Sequence, residues 1–188
     1  MLKIYGRARS RAFRVIWMCC ELQIPFEHLI TGGDRPLPTI EDGGFVLREP
    51  SAINLYLAQK YPNRLWPTTL EAQARVLQWS FFVAGDVERL ITALYRHRFG
   101  LPREERNAAL ADDCERRLLG LLRVLEAQLG RGDYFGGVRW DLSDFMIAST
   151  LYTVYAMKLD LHPLPKLDRW LTRSVQRPAA REAIKRLD

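Results

Sequence analysis

The apolar positions along the chain change period several times, and each period predicts an element. Leu2, Ile4 and Tyr5 form a short run ended by Gly6, the pattern of a buried strand. Between residues 11 and 22 the apolar positions Ala12, Val15, Ile16, Cys19 and Leu22 recur at three- and four-residue steps, which predicts a helix with one buried face. Pro25 follows closely, and residues 26–30 begin a second strand. The stretch TGGDR at 31–35 is turn-like and has no room for a helix. Thr39-Ile40 and Phe45-Val46-Leu47 flank Asp42-Gly43-Gly44, which predicts an antiparallel hairpin. Glu49-Pro50-Ser51 then opens a helix to about residue 61, with Ile53, Tyr56 and Leu57 inward. Proline suits the first helical position because its missing N–H would have no helical partner there.

The pattern after PNRLWP (residues 62–67) is helical throughout, and that rigid, helix-breaking stretch predicts a domain boundary. A long mixed helix runs from Leu70 to about Arg98 and is broken at Leu101-Pro102. The next carries a stripe at Leu118, Leu121, Leu122, Leu125 and Leu129 and stops at Gly130. A third starts at Asp141, with Phe145, Ala148, Ser149, Tyr152, Tyr155, Ala156 and Leu159 expected on one face. Asp141 is placed to cap its free N–H groups, Asp144 sits three residues on, and Trp140 is placed to staple against Phe145. Short helices around 167–174 and 178–187 finish the chain. The expected organisation is an α/β domain at 1–62, a linker at 63–67 and an all-helical domain at 68–188, with no internal repeat.

Composition adds limits. A chain of 188 residues with 48% hydrophobic and 27% charged positions can bury a sizeable core without disulfides or metals. Cys19 and Cys20 are adjacent and Cys114 stands alone, so no paired framework, C-x-x-C or zinc spacing arises, and reduced thiols packed as small hydrophobes are expected. The N-terminus has no apolar run of signal-peptide type, and no stretch approaches the roughly 20 apolar residues of a membrane span; a cytoplasmic location is expected. The net charge of +6 raises the chance of an anionic partner. Lys and Arg are spread through the helices rather than gathered in one block, so a solvated basic surface is expected and nucleic acid is not.

Four stretches resemble the cytosolic glutathione transferase superfamily. YGRARSRAFRVIWMCCELQIPFEHL is similar to its first strand, helix and second strand; PLPTIEDGGFVLREPSAINLYLAQKYP to its hairpin and third helix; YFGGVRWDLSDFMIAS to the glycine turn and capped core helix; and LPKLDRWLTRSVQRPAAREAI to its closing helices. They span nearly the whole chain in the family's order. The resemblance implies a thioredoxin-like N-terminal domain followed by an all-α domain. It also implies glutathione as co-substrate without a metal, a small hydrophobic electrophile over the helical domain, and a detoxifying conjugation. A twofold homodimer is implied too, with helices starting near Leu70 and Arg103 at the interface and Trp79, Phe81 and Phe82 in need of cover.

The family's chemistry needs a group that lowers the glutathione thiol pKa, because the thiolate is the nucleophile. In its serine-using branches a hydroxyl at the position of Ser10 does this, aided by a helix dipole. Serine there also reads as a plain helix N-cap, and spacing alone leaves both readings open. Tyr5 is the runner-up, since other branches use a tyrosine near the end of the first strand; an ordinary strand aromatic is its plain reading. Serine rather than cysteine at the active position argues against the thiol-transferase and dehydroascorbate-reductase branches. Leu37-Pro38 matches the family's cis-proline, which implies that the Leu37 backbone pairs with the cysteinyl part of glutathione like an added strand. Where the family has Glu-Ser at the start of the third helix, this chain has Glu49-Pro50, with Ser51 one step late, so two donors to the γ-glutamyl carboxylate are lost. The segment before Pro38 is shorter than the family's and lacks its helix. Arg7, Arg9, Arg11 and Arg14 are placed either to pair with ligand carboxylates or to face solvent. Tyr95 and Arg98 are candidates for the electrophile side, with His97 beside them. A non-catalytic binding or scaffold protein on the same fold is the alternative, favoured by Pro50 and the short segment.

Overall fold

The computed structural model describes residues 1–30 and 36–187; the expected turn at 31–35, and with it the shortened segment, lies outside the described residues. Contacts divide the chain into two compact units, Met1–Pro67 with Ser174–Asp188, and Thr68–Arg173.

The first unit is built on a four-stranded sheet ordered β2-β1-β3-β4. Strand β1 (Leu2–Tyr5) lies parallel to β2 (Phe26–Leu29) and antiparallel to β3 (Thr39–Asp42), which makes the hairpin with β4 (Phe45–Arg48). The hairpin turns on Gly43 and Gly44, both at positive φ, a backbone region that side chains disfavour. Helix α1 (Phe13–Leu22) is buried from Phe13 through Cys19, beyond the single face that the sequence predicts. It packs against both α2 (Pro50–Lys60) and the closing helix α8 (Pro178–Ile184), so it has cover on more than one side.

That closing helix was expected with the helical domain at 68–188; its contacts group it with the α/β unit instead. Small residues explain the close approach: Ala180 and Ala183 are fully buried. The Arg177 guanidinium also forks onto Glu21 of α1, at 2.9 and 2.8 Å.

The second unit is helical. Helix α3 (Leu70–Phe82) continues through widened turns at 83–87 and 96–100 into and beyond α4 (Glu88–Tyr95), where the N–H of Leu101 bonds the Arg96 carbonyl five residues back. Helix α5 (Ala108–Leu129) buries Leu118, Leu122, Leu125 and Leu129 of the expected stripe, and leaves its fifth member, Leu121, half-buried. Helix α6 (Leu142–Ala156) departs from the one-faced expectation. Every residue from Leu142 to Leu151 is buried, whereas Tyr155 is exposed, because α6 runs through the middle of its unit against α3 and α4. Its start is as the sequence predicts: Asp141 and Asp144 form a capping box, and Trp140 meets Phe145 edge-on at 6.2 Å. Helix α7 (Pro165–Val175) completes the unit. Trp79 finds its cover inside it, edge-on to Phe135 at 5.1 Å, while Phe81 stays 72% exposed. No helix among the described residues is long and apolar enough to cross a membrane.

Candidate functional site

The turn between β1 and α1 positions Ser10. Gly6 ends the strand at φ +133°, and a Cβ there would meet that of Ala12 at 3.2 Å, so glycine lets the chain double back closely. Ser10 is extended (φ −146°, ψ −168°) and exposed just before the first regular turn of α1. Its hydroxyl donates to the Arg7 carbonyl at 2.6 Å and accepts from the Ala12 N–H at 3.1 Å. The cap reading and the donor reading therefore use different parts of one group: the cap occupies a lone pair, and the hydrogen remains transferable. In the first unit the Arg7 carbonyl, rather than the cap, competes for that hydrogen. Neither Arg7 nor Ala12 backbone was legible as a partner, because both contacts depend on the irregular path between 7 and 12.

Near this turn the Leu37–Pro38 peptide is cis; Leu37 is exposed and Pro38 is buried. The start of α2 presents Glu49 at φ +67°, a strained conformation for a residue with a side chain. Pro50 is buried at the first helical position and brings no N–H. Ser51 follows, half-buried, and no side chain caps this helix. The Glu49 carboxylate lies 3.8 Å from the Arg11 guanidinium, in solvent.

The other candidates have varied surroundings. Tyr5 is buried in β1 and its hydroxyl donates to Glu41 at 3.0 Å. The Arg7 side chain is exposed. Arg9 donates from Nε to the Leu187 carbonyl at 2.6 Å, which ties the Ser10 turn to the end of the chain. Arg14 is buried, against the solvent-facing alternative for it, because it lies within the buried run of α1.

In the second unit, Tyr95 is half exposed beside Phe99, with ring centroids 6.0 Å apart. Arg98 is held at 2.5 Å from Asp112 and 3.1 Å from Glu115. These carboxylates keep its guanidinium above the ordinary range and leave it committed to α5. His97 accepts the Asn107 N–H at Nδ1, 3.3 Å away.

All three cysteines are free thiols. Burial pushes the Cys19 and Cys20 thiols up, away from the reactive thiolate. Among the described residues no group of three or more His, Cys, Asp or Glu side chains converges as a metal ligand set.

Residues 74–178 match the family model described as "Glutathione S-transferase, C-terminal domain". The chain is 25% identical to glutathione S-transferase GstB of Escherichia coli strain K12 over 98% of both chains. It is 30% identical to glutathione S-transferase D7 of Drosophila melanogaster over 79% of this chain and 66% of that one. Its fold superposes, with a TM-score of 0.90 and 26% identity, on a theta class glutathione S-transferase from Xanthomonas axonopodis pv. citri solved with glutathione bound; the match covers 98% of this chain and 96% of that one.

Proposed function

The chain belongs to the glutathione S-transferase family, and from that premise we propose that it conjugates glutathione to a small hydrophobic electrophile, with Ser10 stabilising the thiolate. The observation that carries this reading is the Ser10 hydroxyl. It is exposed at the positive end of α1, with one lone pair held by the Ala12 N–H. On binding, the hydrogen turns from the Arg7 carbonyl to the substrate sulfur, and the cap stays in place. An N–H donated into Oγ strengthens the hydroxyl as a donor, since hydrogen bonds in a chain polarise one another. The thiol proton leaves to solvent, the sulfur forms a C–S bond with the electrophile, and the electrophile's leaving group or π electrons take the displaced pair.

Glutathione is held along its length by the Leu37 backbone, beside Pro38, and at its γ-glutamyl end by the start of α2. There the free N–H and hydroxyl of Ser51 serve the carboxylate in place of donors that Pro50 lacks. Glu49 addresses the γ-glutamyl amine with its carboxylate. Tyr5 stays a structural residue of the sheet, engaged by Glu41. Arg7 is exposed and available to the glycyl carboxylate. In the helical unit Tyr95 pairs with Phe99, and Arg98 serves to hold α4 on α5. The protein works as a homodimer in the cytoplasm, and free cysteines fit that reducing compartment.

Calorimetric titration with glutathione, alongside Ser10→Ala, tests the reading. Wild type is expected to release heat at up to millimolar ligand, and Ser10→Ala to bind while losing the ultraviolet absorbance of the bound thiolate. One charge-assisted donor is worth ~1.5–3 kcal/mol, so turnover should fall about ten- to a hundredfold. Silence of the wild type at millimolar glutathione would instead support a non-catalytic scaffold, the reading that Pro50 at the helix start favours.

A further inference from the structure

The helical unit contains a cavity that the chemistry above does not use. It has a volume of about 180 Å³ and lies between the end of α5 and one face of α7, floored by Leu129 and the Trp170 indole. That is well above the roughly 10–15 Å³ that one water needs on this measure, and leaves room for a group of phosphate size. Three cations line it: Lys166, Arg169 and Arg173.

Their spacing of three and four residues puts all three on one face of α7. Like charges at these steps repel each other on a helix, and only Arg173, in the last turn, is favoured by the α7 dipole. Among the described residues none of the three side chains makes an ion pair, although the same unit pairs Arg98, Arg116 and Arg117 with acids.

The nearby carboxylates are occupied or turned away. Glu126 accepts the backbone N–H groups of Lys166 at 3.3 Å and Leu167 at 2.7 Å, and so is committed to the start of α7. Asp168 sits about 100° or more around the helix from each cation. Asp133 is the one acid in the wall, and it forms no ion pair with them among the described residues. The net charge facing the cavity is therefore positive, beside a buried indole and a wall left open at Gly132. Lys166 has a second reason for its position: a Cβ on Gly130 would fall 3.0 Å from its Nζ, so the ammonium lies over the negative end of α5. Arg173 has the dipole of its own helix, since it lies in the last turn of α7, but Arg169, in the middle of the helix, has no such reason.

We propose that this cavity is a binding site for a small phosphate-class polyanion, held by Arg169 and Arg173 as paired forks with Lys166 as a point charge. Guanidinium forks match the oxygens of a phosphate two at a time, and Leu129 and Trp170 give the site an apolar side. No residue of the Ser10 site takes part.

Titrating pyrophosphate into the protein at low ionic strength tests this. The expected result is saturable one-to-one binding that Arg169→Ala/Arg173→Ala weakens by about tenfold or more. Both arginines are exposed, and an unchanged circular dichroism spectrum and melting point confirm that the variant folds. Arg116→Ala/Arg117→Ala removes the same charge from residues already paired with Asp113, and is expected to bind within about twofold of wild type. Equal weakening by both double variants would mean that net charge alone attracts the anion, and would overturn the site. So would a wild type without saturable pyrophosphate binding, including one that binds duplex DNA instead.

Discussion

On the proposed reading, Ser10 and Pro50 pull the candidate thiol site in opposite directions. The proposed thiolate role and the cap use different atoms of Ser10: the Ala12 N–H takes a lone pair, while the hydrogen, held here by the Arg7 carbonyl, is the part the proposal assigns to the ligand. Pro50 suits the helix, which starts on it, yet brings no N–H to the place where the proposed reading seats the γ-glutamyl carboxylate. Replacing it separates the two effects. Pro50→Ser restores an N–H and a hydroxyl at the start of α2, and is expected to tighten glutathione about tenfold by titration calorimetry. The same change should lower the urea midpoint slightly, since giving up a compatible proline costs about 0.4–1 kcal/mol through the unfolded chain. If affinity does not improve, the γ-glutamyl end is held elsewhere. The sequence showed which residues stand at these positions, since spacing from strand and proline locates them. It did not show Glu49 at φ +67°, because nothing in a glutamate announces the left-handed region. Nor did it show the hold of Arg9 on Leu187, a contact across almost the entire chain.

Elements set by local chemistry were legible, and elements set by distant packing were not. The hairpin follows from Gly43-Gly44, and the start of α6 from Asp141 and Asp144, because turn and cap depend on neighbours in sequence. The all-round burial of α6 and α1 depends on which helices cover them, and an apolar stripe carries no count of covering elements. Asp144 links the two levels. It accepts from the N–H groups of Phe135 at 3.1 Å, Gly136 at 3.2 Å and Asp141 at 3.4 Å, and from Trp170 Nε1 at 2.9 Å, so it joins the cap to the glycine turn and to α7. Burial nevertheless pushes its carboxyl up to about 7, with the N–H donors pulling the other way. The sign of the consequence follows. A carboxyl that holds its proton more tightly in the folded chain than in the unfolded one stabilises below pH 4. That contribution fades as pH rises towards 7, by at most about 1.4 kcal/mol per pH unit. Asp144→Asn has no proton to lose and cannot accept all four donors. It should cost about 2–4 kcal/mol at pH 4, and its deficit in urea midpoint against wild type should shrink between pH 4 and 7. A deficit that grows over that range would mean that the donors, not burial, govern the carboxyl.

At the scale of the molecule, the chain's end completes its beginning. The Arg177 fork reaches a Glu21 side chain that is only 6% exposed and that also accepts Trp17 Nε1 at 3.1 Å. Glu21 therefore ties α1 to the start of α8, and a sequence split by pattern into an α/β half and a helical half misses such a return. Removing Arg177 leaves a mostly buried carboxylate with one neutral donor. Arg177→Ala should therefore destabilise the chain by about 2–4 kcal/mol, read as a lower urea midpoint, and lysine should rescue little because it cannot fork. A second whole-molecule property lies on α3. Leu70, Ala74, Leu77 and Phe81 are all exposed, at steps of four, three and four residues that put them in one seam, while Val76, Trp79 and Ser80 of the same helix are buried. Edge strand β4 separately exposes Phe45 and Val46, at 48% and 46%. A seam with this spacing suits a second copy of the same helix, because a twofold axis pairs a surface with itself. The proposed homodimer thus predicts that wild type sediments at twice the chain mass at micromolar concentration. Phe81→Glu places a charge at the C-terminal end of that apolar seam, on the face of α3 opposite to its buried Val76, Trp79 and Ser80. It should sediment as a folded monomer, with the same circular dichroism spectrum as wild type. The same charge at Val46, on the edge strand, tells which surface carries the contact. Dissociation by the α3 variant alone assigns the interface to the seam, and a wild type that is monomeric throughout refutes the dimer.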